Sequence, residues 1–211
     1  MPSITMPGEH FALISGNLCL DFANTVGGIR GGIVHERLNH FTDLVLWSQQ
    51  AGILAENETR DLLDEAESSP AEAAATFERA FILREAIYQV FSAIVHEQSI
   101  SNNLLAPLNT EFVQAMTHMQ IVDGEHGFEL RWSRHTKALD QMLWPIIRSA
   151  VDLLTSPDLK KVKECASESC GWLFVDTTKN SSRQWCETQG CGNKARVRKH
   201  RQRRRSGLPL S

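Results

Sequence analysis

Four cysteines near the C-terminus constrain this chain more than any other feature of its sequence. They form two pairs, Cys165/Cys170 and Cys186/Cys191, with four residues inside each pair and fifteen residues between the pairs. Such short gaps let both sulfurs of a pair reach the same ion, and two pairs supply the tetrahedral four-sulfur set that zinc prefers. The spacing therefore predicts one structural zinc ion, because four thiolates leave no coordination position open for a catalytic water.

Two alternatives stay open for the same cysteines. An iron–sulfur cluster also takes four thiolates, so the spacing does not distinguish iron from zinc. Disulfides would need an oxidising compartment, but Met1 to His10 contain neither the basic nor the apolar part of a secretion signal. We therefore expect a cytoplasmic protein, and we interpret the fifth cysteine, Cys19, as a small buried hydrophobic residue.

The formal net charge of −3 conceals two oppositely charged segments. Residues 160–205 carry thirteen Lys or Arg and four Asp or Glu, a charge of +9, whereas the rest of the chain carries −12. A basic segment attached to an acidic body indicates binding to a polyanion, although a solvated tail that folds back on the body is the alternative. A DNA-binding protein of this kind would be associated with the nucleoid.

The basic run follows the last cysteine directly. Eight of the twelve residues 194–205 are Lys or Arg, so an isolated helix would repel itself and we expect it to become ordered on nucleic acid. Gly192 and Asn193 can supply its turn and N-cap. The expected nucleic-acid contacts are Arg183, Asn193, Lys194, Arg196, Arg198, Lys199, His200, Arg201, Arg203, Arg204 and Arg205.

Between the cysteine pairs, residues 171–176 form a short apolar run that predicts a strand beside the metal. Trp172 and Trp185 are interpreted as the small core of this module, and stacking of either ring on a base is the alternative. The order knuckle, strand, turn, knuckle and helix is typical of a treble-clef-like module.

These residues resemble a known family, the bacterial CGNR zinc-finger proteins, whose N-terminal part is the ABATE domain and which are described as stress-induced transcription regulators. Lys194 stands where the family motif has arginine, which keeps the charge but loses bidentate geometry. The resemblance implies a metal-binding and DNA-binding regulator. It rests on Cys165-x4-Cys170-Gly171-Trp172-Leu173-Phe174, on Arg183-x-Trp185-Cys186, on Cys191-Gly192-Asn193, and on the run from Gly16 to Thr25.

The predicted fold is mainly α with a small β-hairpin. A helical body, residues 1–157, precedes the treble-clef-like zinc module, residues 158–211, which ends in the basic helix. Periodicity predicts body helices over residues 41–51, 57–66, 70–96, 104–118 and 136–154, with Asn57 as the cap of the second and a kink or restart of the last at Pro145. Residues 119–122 and 128–132 predict the hairpin, and residues 27–32 a mobile loop. No apolar run is long enough for a membrane span.

One residue breaks the apolar pattern of the third predicted helix. Arg84 stands between Phe81 and Tyr88, and a buried guanidinium needs an acidic partner. The hypothesis is that Arg84 pairs with Asp21 in a polar cluster that forms the floor of a small-molecule effector pocket. A purely structural cluster and an Arg84 head that reaches water stay open. The residues of the hypothetical cluster are Asp21, Asn24, Thr25 and Arg84.

Two functions fit these observations. In the first, the protein is a transcription regulator in which zinc orients the basic helix onto DNA, while the body dimerises or senses an effector. In the second, the zinc module binds protein or RNA, with non-specific affinity for polyanions and no operator. We expect no enzyme, because no nucleophile has a persuasive partner and His35 and His40 are one residue too far apart for a zinc-protease motif.

Overall fold

The computed structural model describes residues 11–133 and 138–205, with side chains as far as residue 202. Within these residues the chain is mainly helical with short strands, and the predicted mainly α fold with a zinc module ending in a basic helix is confirmed. The elements are α1 (Leu18–Ala23), β1 (Val26–Gly28), β2 (Val34–Glu36), α2 (Phe41–Gln50), α3 (Glu56–Ser68), α4 (Pro70–Val95), α5 (Asn102–Met116), β3 (Met119–Gly124), β4 (Gly127–Trp132), α6 (Leu143–Leu154), β5 (Val162–Glu164), β6 (Leu173–Val175) and α7 (Asn193–Arg205).

Helix α4 is the centre of the body. Pro70 occupies its first position, where the missing N–H costs no intrahelical bond, and the chain leaves the helix at Glu97 with a φ of 53°. Leu83, Ile87 and Val90 are fully buried among helices α1, α2, α5 and α6, all of which contact α4. Their spacing of four and three residues puts them on one helix face, which confirms the predicted central helix.

Two predicted helix starts are wrong. Residues 139–142 form turns and α6 begins only at Leu143, so Pro145 lies in the first turn of the helix and interrupts no existing helix. The predicted start at Thr136 itself lies outside the described residues. In α3, Asn57 is the second helical residue rather than the cap, because the Glu58 carboxylate accepts from the backbone N–H of Ala55, the N-cap, at 2.7 Å.

The strands form three antiparallel pairs within the described residues. The β3–β4 hairpin is confirmed in the predicted place, with Ile121 opposite Leu130. The β1–β2 hairpin was not expected, because its glycine-rich connection predicted only a mobile loop. Gly28 has a φ of +86°, and a Cβ there would lie 2.2 Å from the carbonyl oxygen of Ile33, so the hairpin requires glycine at this position.

The β5–β6 pair joins the zinc module to the body. Leu173 and Val175 of β6 belong to the body core, whereas Trp172 and Phe174 pack with the cysteines. This division follows from the alternation of side chains along a strand. The side chain of Asn24 donates to the carbonyl oxygen of Leu173 at 2.8 Å and accepts from its N–H at 3.0 Å. Packing is therefore continuous across the predicted boundary at residue 157. No helix among the described residues has the length and apolarity to cross a membrane.

Candidate metal centre and nucleic-acid interface

The four predicted cysteine ligands converge on one point. Their sulfur atoms all lie within 4.8 Å of one another, and the Sγ–Sγ distances are 3.8 Å for Cys170 to Cys186 and 3.6 Å for Cys186 to Cys191. Four sulfurs at the usual zinc–sulfur distance of about 2.3 Å stand about 3.8 Å apart in a tetrahedron. The spacing of the sulfurs therefore fits a four-coordinate zinc ion.

The electrostatics of the thiols agree with this geometry. Hydrogen bonds from Cys170 and Cys186 hold the pKa of the Cys165 thiol well below its ordinary value. The bonds to Cys165 raise the pKa of both Cys170 and Cys186, since each of these thiols keeps the proton that it shares. A divalent cation held by Cys165, Cys170, Cys186 and Cys191 would replace these shared protons, as expected when zinc binds thiols.

Short local contacts shape the two knuckles. The N–H of Cys165 donates to the carbonyl oxygen of Trp172, and the N–H of Cys170 donates to that of Ser167, each at 2.9 Å. Trp172 is buried and Trp185 is partly buried beside Cys186, so the predicted small core of the module is confirmed. The indole N–H of Trp172 donates to a backbone carbonyl at 2.8 Å, which occupies its polar group.

Asp176 is a structural residue that the sequence reasoning missed. Its carboxylate accepts from Lys163 Nζ at 2.6 Å, from the Thr178 hydroxyl at 2.6 Å and from the N–H of Arg183 at 2.9 Å. Burial alone would raise the pKa of Asp176, but these hydrogen bonds outweigh it and hold the pKa well below the ordinary value. An aspartate between an apolar strand and a Thr-rich turn is a common turn-forming signal that could have identified it.

Arg183, which the sequence placed among the nucleic-acid contacts, is directed into the protein. Its guanidinium donates to the carbonyl oxygens of Ile14 and Trp185, each at 3.0 Å, and to that of Cys186. It also lies 4.3 Å from the centroid of the Phe174 ring. These contacts join the N-terminal segment to the second knuckle, so we leave Arg183 out of the interface proposed below.

Helix α7 begins where the second knuckle ends. A π-helical turn, Thr188–Gly192, leads into the helix without a break, and Asn193 has helical φ and ψ values of −69° and −42°. Asn193 is therefore the first helical residue and not the predicted N-cap. A Cβ on Gly192 would meet the Trp185 ring at 3.4 Å, so the helix start packs closely on the module. Helix α7 therefore begins two residues after Cys191, the last of the four cysteines.

The basic residues of α7 are exposed along its described length. Arg198 forms an ion pair with Glu168 of the first knuckle, and Arg196 donates to the carbonyl oxygen of Thr188 at 3.5 Å. The side chains of Arg203, Arg204 and Arg205 lie outside the described residues, although their backbone is helical. The structure confirms that the arm is a helix. The exposed residues of the predicted set are Asn193, Lys194, Arg196, Arg198, Lys199, His200 and Arg201.

The predicted pairing of Arg84 with Asp21 is wrong. Arg84 is 1% exposed and forms a two-pronged ion pair with Glu36, with both N–O distances at 2.7 Å. Its guanidinium also donates to the Thr25 hydroxyl at 3.3 Å. Asp21 instead accepts from the N–H of Ser15 at 2.9 Å, and Asn24 binds the backbone of β6. Glu36 was missed because it lies in an unpredicted strand.

Fold and site together define a zinc-finger protein, in which a helical body carries a four-cysteine module and a basic helix. A family model of ABATE, described as "Putative stress-induced transcription regulator", matches residues 16–157, and one of the CGNR zinc finger matches residues 161–204. The chain therefore belongs to the ABATE family and carries a CGNR zinc finger, as the sequence resemblance predicted. The cofactor is one structural zinc ion. Neither family is an enzyme family. No curated protein matches the chain.

Proposed function

We propose that this protein is a transcription regulator that binds double-stranded DNA through α7. The observation that carries the proposal is a helix that is basic, exposed and oriented by the metal centre from its first residue. The role is binding rather than catalysis, because four thiolates leave the zinc no open position. Such a regulator acts in the cytoplasm, in contact with the nucleoid. An effector or a second copy of the chain would act on the body.

The distribution of charge on α7 supports one DNA-facing surface. Lys194, Arg198 and Arg201 are separated by four and three residues, so they share one face of the helix. Arg196 and Lys199 lie on the other side. An α-helix fits the major groove of B-DNA, where arginine can reach base edges and lysine can neutralise phosphates. Contacts from one face would give a defined register on the duplex, whereas a uniformly charged rod would give only non-specific affinity.

The first experiment is competition binding of the zinc-loaded protein to genomic fragments at two salt concentrations. We expect overall affinity to fall steeply with salt, because phosphate contacts release counterions, while a subset of fragments survives excess unlabelled competitor. A steep salt dependence with no preferred fragment would favour the alternative function, a module with non-specific affinity for polyanions.

A pair of double variants tests the face of the helix. Lys194→Gln with Arg201→Gln removes two charges from the proposed DNA face, and Arg196→Gln with Lys199→Gln removes two from the other side. We expect the first pair to weaken binding about 30-fold or more and the second about 3-fold or less, since only the first pair loses direct contacts. Equal losses would show that α7 acts as a uniform charge and would contradict a defined register.

A further inference from the structure

The first hairpin of the body lies against the zinc module. The carbonyl oxygen of Gly28 accepts from the N–H of Gly171 at 3.0 Å, and that of Val26 accepts from the indole N–H of Trp172 at 2.8 Å. The Arg37 guanidinium, which follows β2, lies 5.5 Å from the centroid of the Trp172 ring. The β1–β2 hairpin and the first knuckle therefore form one continuous surface, although they are more than a hundred residues apart in the sequence.

The base of the hairpin is fixed to the central helix. Arg84 of α4 binds the Glu36 carboxylate through its two terminal guanidinium nitrogens, as described above. Arg30 forms an ion pair with Glu85 at 2.9 Å, donates to the carbonyl oxygen of Ala23 at 2.7 Å and lies 3.6 Å from the centroid of the Tyr88 ring. The Arg84–Glu36 pair thus holds the end of β2, and the contacts of Arg30 hold the start of the connecting loop, so that the exposed residues 31–33 have a defined direction.

The tip of the hairpin, by contrast, is exposed. Ile33 is 81% exposed, and Gly31, Gly32 and His35 around it are exposed as well. A bulky apolar side chain in this position contributes nothing to the core. Glycines beside it let another backbone approach closely. Some proteins that bind the minor groove of DNA insert exposed apolar side chains between base steps.

A cleft of about 1160 Å³ is lined by residues of both the hairpin and the zinc module. Lys194 of α7 lines one side, and His35 and Arg37 line the other. Within residues 11–133 and 138–205, neither Arg37 nor Lys194 has an ion-pair partner. Two of the acids that line the cleft are already neutralised, Glu36 by Arg84 and Glu168 by Arg198. Glu187, the third acid that lines the cleft, has no ion pair among the described residues, so the unpaired side-chain charges there are those of Arg37, Lys194 and Glu187. Lys194 also belongs to the proposed DNA face of α7.

From this arrangement we propose that the β1–β2 hairpin is a second contact with the DNA duplex that α7 binds. Arg37 and His35 bind the sugar–phosphate backbone, and Ile33 contacts the edge of the adjacent groove. The proposal rests on the proposed function and adds to it a contact from the body, at a site that is separate from the zinc module in sequence. A duplex held at two points has a fixed direction on the protein, which a single helix alone would not impose.

The first test removes the charge of the hairpin. Arg37→Gln is compared with Lys179→Gln, which removes one charge from an exposed turn of the zinc module that does not line the cleft. We expect Arg37→Gln to weaken duplex binding about 5-fold and to lower the slope of log K against log salt by about 0.9, the value for one phosphate contact. Lys179→Gln should leave the affinity and the salt slope equal to those of the wild type within experimental error. Thermal melting of each variant shows whether the fold is retained.

The second test removes the apolar tip without a change in charge. Ile33→Ser is compared with Val113→Ser, which alters an exposed apolar residue of α5 that does not line the cleft. We expect Ile33→Ser to weaken duplex binding by about 3-fold to 10-fold with an unchanged salt slope, because groove contacts of this kind are apolar. Val113→Ser should bind as the wild type does.

The outcomes separate this inference from the proposed function. If Lys194→Gln with Arg201→Gln abolishes binding while Arg37→Gln and Ile33→Ser match their controls, the hairpin contact is wrong and the function of α7 stands. If the α7 variant binds normally, the proposed function itself fails. Tighter binding to an RNA duplex of the same sequence than to DNA would overturn the assignment of DNA as the partner of both surfaces.

Discussion

The body and the zinc module of this protein are stabilised by different means. In the body, a 26-residue helix is packed on several sides, and the core contains fully buried aromatic and aliphatic residues such as Trp47 and Leu83. In the module, a few apolar side chains lie beside four sulfurs, and strand β6 turns its other face to the body core. Few apolar side chains are available to fold the second knuckle and α7, so we expect the metal to organise them. The strand that precedes them depends on the body.

Metal removal should separate these two regions most clearly. A chelator should lower DNA affinity about 100-fold or more, because α7 loses its fixed start, while the helical signal of the body persists. Hydrogen exchange should show rapid exchange of the α7 amides and continued protection of β6. Added zinc should restore both properties. Cooperative unfolding of the whole chain on chelation would show that the metal also stabilises the body.

Asn24→Ala should have the next largest effect, and it acts on the junction between the regions. The substitution leaves the buried N–H and carbonyl oxygen of Leu173 without partners, which we expect to lower the free energy of unfolding by about 3 kcal/mol. Urea denaturation measures the change, with Asn180→Ala, an exposed residue of the module, as the control. A loss of less than about 0.5 kcal/mol would mean that body and module are not coupled through this contact.

Glu36→Gln should lower the free energy of unfolding by about 2 kcal/mol at neutral pH, because it leaves the buried Arg84 guanidinium without its main counter-ion. The loss is limited because the side chain at position 36 is partly solvated. Burial raises the pKa of Glu36, but the hydrogen bonds and charge of Arg84 outweigh it, so the pKa lies below its ordinary value of 4.5. The stability from this pair is therefore fully present above pH 4.5 and is lost as the pH falls through the depressed pKa.

The same pH dependence gives the control for Glu36. The difference in unfolding free energy between wild type and Glu36→Gln should be constant from pH 7 to about pH 5 and shrink below pH 4.5. Comparing the two proteins at each pH cancels the protonation of the cysteines, which both share. A difference that does not change down to pH 3 would contradict an ionised Glu36 as the partner of Arg84.

Arg183→Gln should have the smallest effect on stability and sharpens the contrast between inward and outward arginines. The substitution removes the donors to the carbonyl oxygens of Ile14, Trp185 and Cys186. We expect it to lower the free energy of unfolding of the zinc-loaded protein by about 1–2 kcal/mol, which a lower melting temperature would show. The salt slope of DNA binding should not change. Arg201→Gln should do the reverse, with unchanged stability and a lower slope. A reduced slope for Arg183→Gln would return this residue to the interface.

The sequence predicted features whose cause is local. Cysteine spacing gave the metal site, because a short turn brings two sulfurs together whatever the rest of the chain does. Proline at the first turn and the spacing of apolar residues predicted α4, and the alternation of apolar and polar residues predicted the β3–β4 hairpin. The wrong partner for Arg84 has a different origin. Asp21 and Glu36 were equally available to Arg84 in the sequence, and the choice depended on β2, a three-residue strand too short to produce a pattern.

The sequence by itself determined that four cysteines form one metal site and that a basic segment follows it, since both features arise within fifty residues of chain. Only the tertiary structure decided which basic side chains are available to a partner. Arg84 and Arg183 are occupied by Glu36 and by backbone carbonyls, whereas Arg37 and Lys194 line one cleft from opposite ends of the chain. A guanidinium has the same charge everywhere in a sequence, but its function depends on which acceptors the fold places around it.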